Sequence, residues 1–414
     1  MTVIPIIIEQ HAEDAAFHWL LRDSAVHAPH YSLKDLSKLD NRVEAHIDGL
    51  RIAGEEGWKI ANEVLAMEDA GEIFTLAALA FESGNETRIH NVVEAGSVSP
   101  ELSRGIVSAL GWLPYQQAEG FIKKLFNEQS PTLRRIGIAA SAVHRQDPGQ
   151  ALSDTLTDPD SLLRARALKA VGELGRKDLL SLVKRDFHIE NEKCRFYAAW
   201  SAALLGDETS IPVLCDLTKG DSAFAEKACS MALRRMNLSE AHQLQGELAN
   251  HNETKRIAII GAGVIGDPAS IPWLIQMMGI PEIARIAGES FTMITGVDIA
   301  YEDLEGEWPE GFEAGPTESP EDEDVEMDPD EDLPWPKPEL IQDWWKKNSN
   351  KFKNGTRYLL GKPITSENLQ QALKTGRQRQ RYAAALELSL MQPGLPLFEV
   401  RVPGYRQKQL LGLK

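Results

Sequence analysis

GVIGDPASIPWLI (263–275) repeats ALLGDETSIPVLC (203–215) at an offset of 60 residues, and both carry Gly-Asp-x-x-Ser-Ile-Pro. Between them the alanine-rich run ALKAVGELGRKD (167–178) places Gly175 31 residues before Gly206. HIDGLRIAGEEG, FTLAALAFESGN, GIVSALGWLPYQ, GIAASAVHRQDP, CSMALRRMNLSE and RIAGESFTMITG continue the series. That makes about nine units from near residue 43 to residue 296, spaced roughly 28 to 33 residues apart. A period of this length constrains the fold more than any other feature of the chain. One short hairpin cannot bury its apolar face alone, whereas a stack of them can.

Each unit opens with a segment rich in Ala, Gly and Leu at helical spacing, as in Leu168, Val171 and Leu174. A turn with Gly or Asp follows, then a second apolar-periodic segment such as Ile211, Leu214 and Leu217. Polar turns such as TDPDS (157–161) lead to the next unit. Small residues let neighbouring helices approach closely, and larger aliphatics fill the layers between units. The expectation is an all-α chain, an α-solenoid of about nine helical hairpins. It divides into an N-terminal helical lead-in (1–42), the repeats (43–296), an acidic Pro-rich strap (297–338) and a helical C-terminal cap (339–414). Runs such as ARALKAVGELG and YAAWSAALLGD follow R-x-x-A/G-x-x-A/G-L-G-D. Over about 250 residues they resemble HEAT-like repeats, especially the short phycobilin-lyase type.

IAIIGAGVIG (257–266) has the G-x-G-x-x-G spacing of a dinucleotide-binding turn at Gly261, Gly263 and Gly266. Such a site needs a phosphate-binding helix running on past Gly266. Pro268 and Pro272 fall in that helix, and a proline in a helix interior costs about 3 kcal/mol. In the repeat frame Pro268 lies in the inter-helix turn and Pro272 in the first turn of the second helix, where proline is tolerated. The glycines are therefore expected at helix crossings, with no nucleotide.

The three cysteines, Cys194, Cys215 and Cys229, form no C-x-x-C pair and fit structural thiols in a reducing compartment. MTVIPIIIEQHAED has no basic residue before its apolar patch and is not read as a signal peptide. No stretch approaches the ~20 apolar residues of a membrane span, so a cytoplasmic location is expected. Charge is segregated. Residues 297–336 hold 17 acids and no Lys or Arg, residues 337–414 carry a surplus of +10, and residues 1–296 carry −11. Without a dominant basic face, nucleic acid is not expected as a partner.

Candidate chemistry is sparse. Five of the ten histidines (His11, His18, His27, His30 and His46) lie early in the chain, but Pro29 makes His27 to His30 a loop with no Cys nearby. Some HEAT-like proteins are di-iron hydroxylases with paired His-Glu dipeptides. No such dipeptide occurs here, and that activity is not carried over. NGTRYLLGKPI (354–364) spaces its glycines one residue too far for a phosphate loop and has Pro363 where Ser or Thr would hold magnesium. DEDVEMDPDED (322–332) lacks the glycine of a calcium loop. No catalytic residue, cofactor or metal is expected.

The strap nevertheless contains Trp308, Phe312, Leu333 and Trp335. Large apolar anchors amid charge indicate docking, and the expectation is that the strap packs on the repeats and the basic cap. The rival is a free acidic arm. A helix after Pro338 carries Trp344 and Trp345, and a further helix over 366–391 carries Arg377, Arg379 and Arg381, with Arg377 and Arg381 on one face. Trp335, Trp344, Trp345 and the three arginines are expected at an interface.

GESFTMITGVDI, the run from GPTESPEDEDVEMDPDEDLPWP to WW, RYLLGKPI and RQRYAAALELSLMQPGLPLFE, together with RIAGEEGW, resemble an uncharacterised bacterial family of HEAT-like proteins along the whole chain. Members often lie beside type VI secretion genes. The repeat reading points to a non-enzymatic scaffold gripping a protein partner on the concave surface of its second helices, and the resemblance implies an accessory role in loading, folding or neutralising a secreted effector. That partner would be a secreted effector or a spike component, and the role that of adaptor or chaperone. An immunity protein that blocks a toxin is the alternative. From a different class, so is a solenoid enzyme such as a tetrapyrrole lyase or metal-dependent hydrolase. Oligomeric state is left open.

Overall fold

The computed structural model describes residues 3–219, 222–315 and 327–413. The chain folds as an all-α protein of helices packed pairwise as repeats, an α-solenoid architecture. It divides into two units, one of residues 1–205 with 377–379 and 393–414, the other of residues 206–376 with 380–392.

In the first unit α1 (Pro5–Ala25) packs on α2 (Leu33–Val64). There follow α3 (Ala70–Ser83) with α4 (Glu86–Gly96), α5 (Pro100–Trp112) with α6 (Tyr115–Phe126), α7 (Pro131–Val143) with α8 (Gln150–Thr155), α9 (Ser161–Leu174) with the short α10 (Leu180–Val183), and α11 (Glu192–Leu204). Local chemistry sets the starts. Side-chain oxygens of Asp69, Asn85, Ser99, Ser130, Asp160 and Asn191 each accept a backbone N–H of the following turn. Trp19, Phe74 and Trp112 form the aromatic centre of the core, with Trp19 stacked on Phe74 at 5.3 Å and Phe74 edge-on to Trp112 at 5.3 Å. The boundary expected at residue 43 falls inside α2, whose capping box at Ser32 and Asp35 starts the helix well before it.

The second unit contains α12 (Ile211–Asp216), α13 (Ala225–Arg235), α14 (Leu238–Ala249), α15 (Asn252–Ile265), α16 (Ile271–Met277), α17 (Pro281–Thr295) and α18 (Pro338–Asn348). After these come the hairpin β1 (Tyr358–Leu359) and β2 (Lys362–Pro363), then α19 (Ser366–Thr375) and α20 (Gln378–Met391), of which Gln378 and Arg379 count with the first unit. Residues 393–414, with α21 (Gly404–Leu410), belong to the first unit. The segment expected as a single cap is thus shared between the two units.

IAIIGAGVIG lies in α15 and its C-cap. Gly263 sits at a helix crossing, where a Cβ would come within 3.0 Å of the Ser290 Cα on α17. Ser290 Oγ donates to the Ile259 carbonyl across the same crossing at 2.9 Å. Gly266 ends the helix at φ +72°, left-handed backbone that favours glycine. Asp267 caps the next turn through Ala269 N at 3.0 Å, and Pro272 stands in the first turn of α16. The Gly-Asp-x-x-Ser-Ile-Pro motif is therefore a stop, a cap and a start.

NGTRYLLGKPI forms the β hairpin, with Leu360 and Gly361 both at positive φ as a two-residue reverse turn requires. The hairpin seals two helix ends. Tyr358 N donates to the Gly266 carbonyl at 2.9 Å, Leu360 N to Met293 O at 2.8 Å and Gly361 N to Ile294 O at 2.9 Å. These carbonyls would otherwise lack partners at the ends of α15 and α17.

The single helix expected over 366–391 is broken. Gly376 is extended at φ −72°, ψ 170°, and separates α19 from α20. Arg377 instead pairs as a short bridge with Ser32, and Gln378 N donates to Tyr31 O at 2.8 Å.

Candidate functional site

The caps at Ser99, Ser130 and Asp160 fix the starts of α5, α7 and α9. As a result Arg104, Arg135 and Arg166 come up soon after each start and line one cleft. α1 supplies Trp19 and Arg22, and residues 399–403 of the C-terminal segment supply another wall. The cavity measures about 460 Å³, within the size range of small-ligand sites.

Some of its charges are spent locally. Arg22 Nε donates to Asp40 Oδ1 at 2.9 Å, its Nη2 donates to the Arg401 carbonyl at 2.6 Å, and Arg104 pairs with Asp23. Arg401 Nη2 lies 2.6 Å from Glu399 Oε2, and Arg145 Nη2 lies 3.3 Å from the same oxygen. Others are under-compensated. Glu173 serves Arg166 Nη2 at 2.9 Å and Lys169 Nζ at 3.7 Å, and it also lies 3.8 Å from Arg401 Nη2, which Glu399 already holds. The Arg166 contact is out of line for a hydrogen bond, and Arg166 Nη1 is buried with no partner. Arg135 donates to Ser103 Oγ at 3.1 Å, and among the described residues no carboxylate lies within ion-pair distance of it.

The electrostatics follow. Burial pushes the Lys169 ammonium down to about 8, with Arg401 and Arg166 adding to the fall and Glu173 opposing it. Burial also lowers Arg135. Burial alone would raise Glu173, but Arg166, Lys169, Arg145 and Arg401 outweigh it and hold the carboxyl at about 2. Glu399 is likewise held well below the usual carboxylate range by Arg401 and Arg145 against its burial.

The interface residues expected from sequence lie elsewhere. Trp335 joins Trp308 at 5.0 Å and Phe312 at 5.5 Å, with the Arg285 guanidinium 5.2 Å from its ring. Trp344 meets Phe291 of α17 edge-on at 5.6 Å, and Trp345 tilts against Phe352 at 5.4 Å. All three tryptophans are half-buried in the second unit. Arg377 precedes α20, so it does not share a helix face with Arg381. Arg377 Nη1 donates to His30 O at 3.3 Å and Arg379 Nε to His27 O at 2.9 Å, so both, themselves part of the first unit, hold one of its loops. Arg381 is fully buried, its Nε donating to Leu373 O at 2.7 Å. It is therefore closed to an outside partner.

In the strap, Asp328 and Asp330 engage Arg285 and Arg256 of α17 and α15. Carboxylates that alternate as in a calcium loop are thus committed to guanidinium groups. Residues 316–326, including most of the remaining acidic run, lie outside the described residues. The early histidines gather in part. His11 Nδ1 is 3.1 Å from His46 Nδ1, and His18 stacks on His46 at 5.1 Å. Among the described residues no group of three or more His, Cys, Asp or Glu is placed to hold a metal ion. Burial raises the thiols, Cys194 and Cys215 to about 11 and Cys229 to about 12, which removes thiolate character.

Sequence reasoning passed over Arg135, Arg166 and Lys169. Their signal was available as basic residues recurring at one register of the first helices, but it was hidden inside the fold repeat.

Residues 149–234 match the HEAT repeats family model. A search of curated proteins returned no match. Among the described residues no helix is long and apolar enough to cross a membrane.

Proposed function

We propose that the chain is a non-catalytic repeat scaffold that binds a protein partner. The observation that carries this reading is the HEAT match over 149–234, because stacked helical repeats present extended surfaces suited to binding another chain. A place for such binding is the outer face of α1, where Ile6, Ile7, Phe17 and Leu21 are exposed on one side of the helix. Apolar patches of this kind mark interaction surfaces.

The finer reading is an adaptor or chaperone for a type VI secretion effector, and its support is the whole-chain resemblance. The test is capture of crosslinked partners from the native host with the tagged full chain, in parallel with a Phe17→Asp variant. The expected outcome is an effector or spike component held by the parent chain and lost by the variant. A toxin-activity assay on the captured pair then separates adaptor from immunity protein. Stoichiometric retention of a metal or coloured small molecule with no protein partner would overturn the scaffold reading.

A further inference from the structure

We propose that the cleft of the first unit binds a small organic anion, a carboxylate or phosphate carried on an apolar body. Three features carry this, and none depends on a protein partner. One is charge imbalance. Arg135 has no carboxylate within ion-pair distance among the described residues, while Glu173 is shared by Arg166 and Lys169. The cleft keeps positive charge that its own acids do not neutralise, and a bound anion would supply the missing counter-charge.

The second is the orphaned donor. Arg166 Nη1 is buried without a partner, and an unsatisfied buried donor carries a desolvation penalty that an acceptor in the cleft would relieve. A carboxylate or phosphate matches a guanidinium fork and forms the stronger, charge-assisted bonds.

The third is shape. The remaining wall is apolar, built from Trp19, Val107, Trp112 and Ile136. Trp19 and Trp112 are held rigidly, their ring N–H groups donating to Ser108 Oγ at 3.0 Å and Glu44 Oε2 at 2.7 Å. Residues 399–403 add a further wall, and the cleft's volume of about 460 Å³ suits a molecule of limited size. An anionic head toward α7 and α9 and an apolar body against the tryptophans fill it best.

The test is calorimetric titration of the full chain with phenyl phosphate at low ionic strength, alongside inorganic phosphate and a hexaglutamate peptide. The expected result is one saturable site that prefers phenyl phosphate. Its affinity should fall at least tenfold in Arg135→Gln/Arg166→Gln and stay unchanged in Arg88→Gln on α4. Arg135→Lys/Arg166→Lys keeps the charge and should lose less. If the Gln variant does not fold, thermal denaturation of the parent chain still decides the matter, because phenyl phosphate should raise Tm above sodium chloride of equal ionic strength. The proposal is overturned by absence of saturable binding, by an affinity that survives the double substitution, or by tighter binding of hexaglutamate than of phenyl phosphate.

Discussion

Arg256 and Asp330 meet as a fork, Nη1 on Oδ2 at 2.8 Å and Nη2 on Oδ1 at 2.7 Å. The Asp330 carbonyl accepts a second arginine, Arg285, at 2.9 Å. Asp330 is only 3% exposed although it sits in the most acidic stretch of the chain. One residue therefore ties the strap to two successive repeat helices.

Removing that carboxylate strands a partly buried guanidinium. Breaking a buried pair from one side costs about 3–5 kcal/mol, and because Arg256 keeps some solvent the loss for Asp330→Ala should be nearer ~2 kcal/mol. Protease sensitivity within 297–336 should rise alongside the fall in Tm. Limited proteolysis with unchanged cleavage rates would count against the strap as a docked element.

Gly266→Ala and Gly246→Ala should move stability in opposite directions. At Gly266 a Cβ would stand 2.3 Å from the Tyr358 carbonyl oxygen, in left-handed backbone, and the hairpin must shift. Gly246, in α14, has nothing within 4 Å of the place a Cβ would take. There alanine should add about 0.5–1 kcal/mol by improving helix propensity. Chemical denaturation of the two variants side by side checks the contrast.

His144 should make the protein acid-sensitive in a defined window. Its ring accepts from Arg406 at Nδ1, 3.3 Å away, and donates to Leu110 O from Nε2 at 2.8 Å, which fixes the neutral ring. Burial, with Arg406 adding to it, lowers its pKa from 6.5 to about 4. The unfolded chain binds this proton first, so stability is full above pH 6.5 and falls as pH drops toward 4. The loss is on the order of 2–3 kcal/mol. Melting curves at pH 7.5 and 5 should differ clearly in the parent chain and much less in His144→Gln.

Glu387 accepts from Arg234 Nη1 at 2.5 Å and Arg357 Nη2 at 2.7 Å, and is 3% exposed. Glu387→Ala leaves two guanidinium groups facing each other and should cost about 3–5 kcal/mol. Glu387→Gln keeps an acceptor and should cost less. Equal losses in the two variants would show that the carboxylate charge, which both remove, governs this position, and that neither packing nor a retained acceptor does.

The helical architecture was legible because a hairpin needs its stop, cap and start in sequence, and Gly206-Asp207 and Gly266-Asp267 supply them twice in the same words. The crossings were half legible. Small residues announced close approach, but the pairing of Gly172 with Ser201, whose Oγ donates to Leu168 O at 2.6 Å, depends on which turns face each other. The break at Gly376 was hidden, because the residues on either side have good helix propensity and the chain just beyond it, from Arg377, pairs with Tyr31 and Ser32. The cleft was hidden for a related reason. Arg166 and Glu399 are remote in sequence, and nothing in either neighbourhood says that residues 399–403 return to the repeats.

That return has a consequence for synthesis. Arg22 holds the Arg401 carbonyl, and Asp40 accepts the Gly404 amide at 2.5 Å, across 379 and 364 positions of chain. A ribosome finishes α11 long before it makes residues 393–414. At typical elongation rates the interval is roughly ten to forty seconds. Throughout it the first unit waits with one wall of its cleft missing and the Arg22–Asp40 pair open to water. Such a nascent chain is a natural client for a holding chaperone, and the order in which its parts are born, rather than the strength of any one contact, sets how long it stays one.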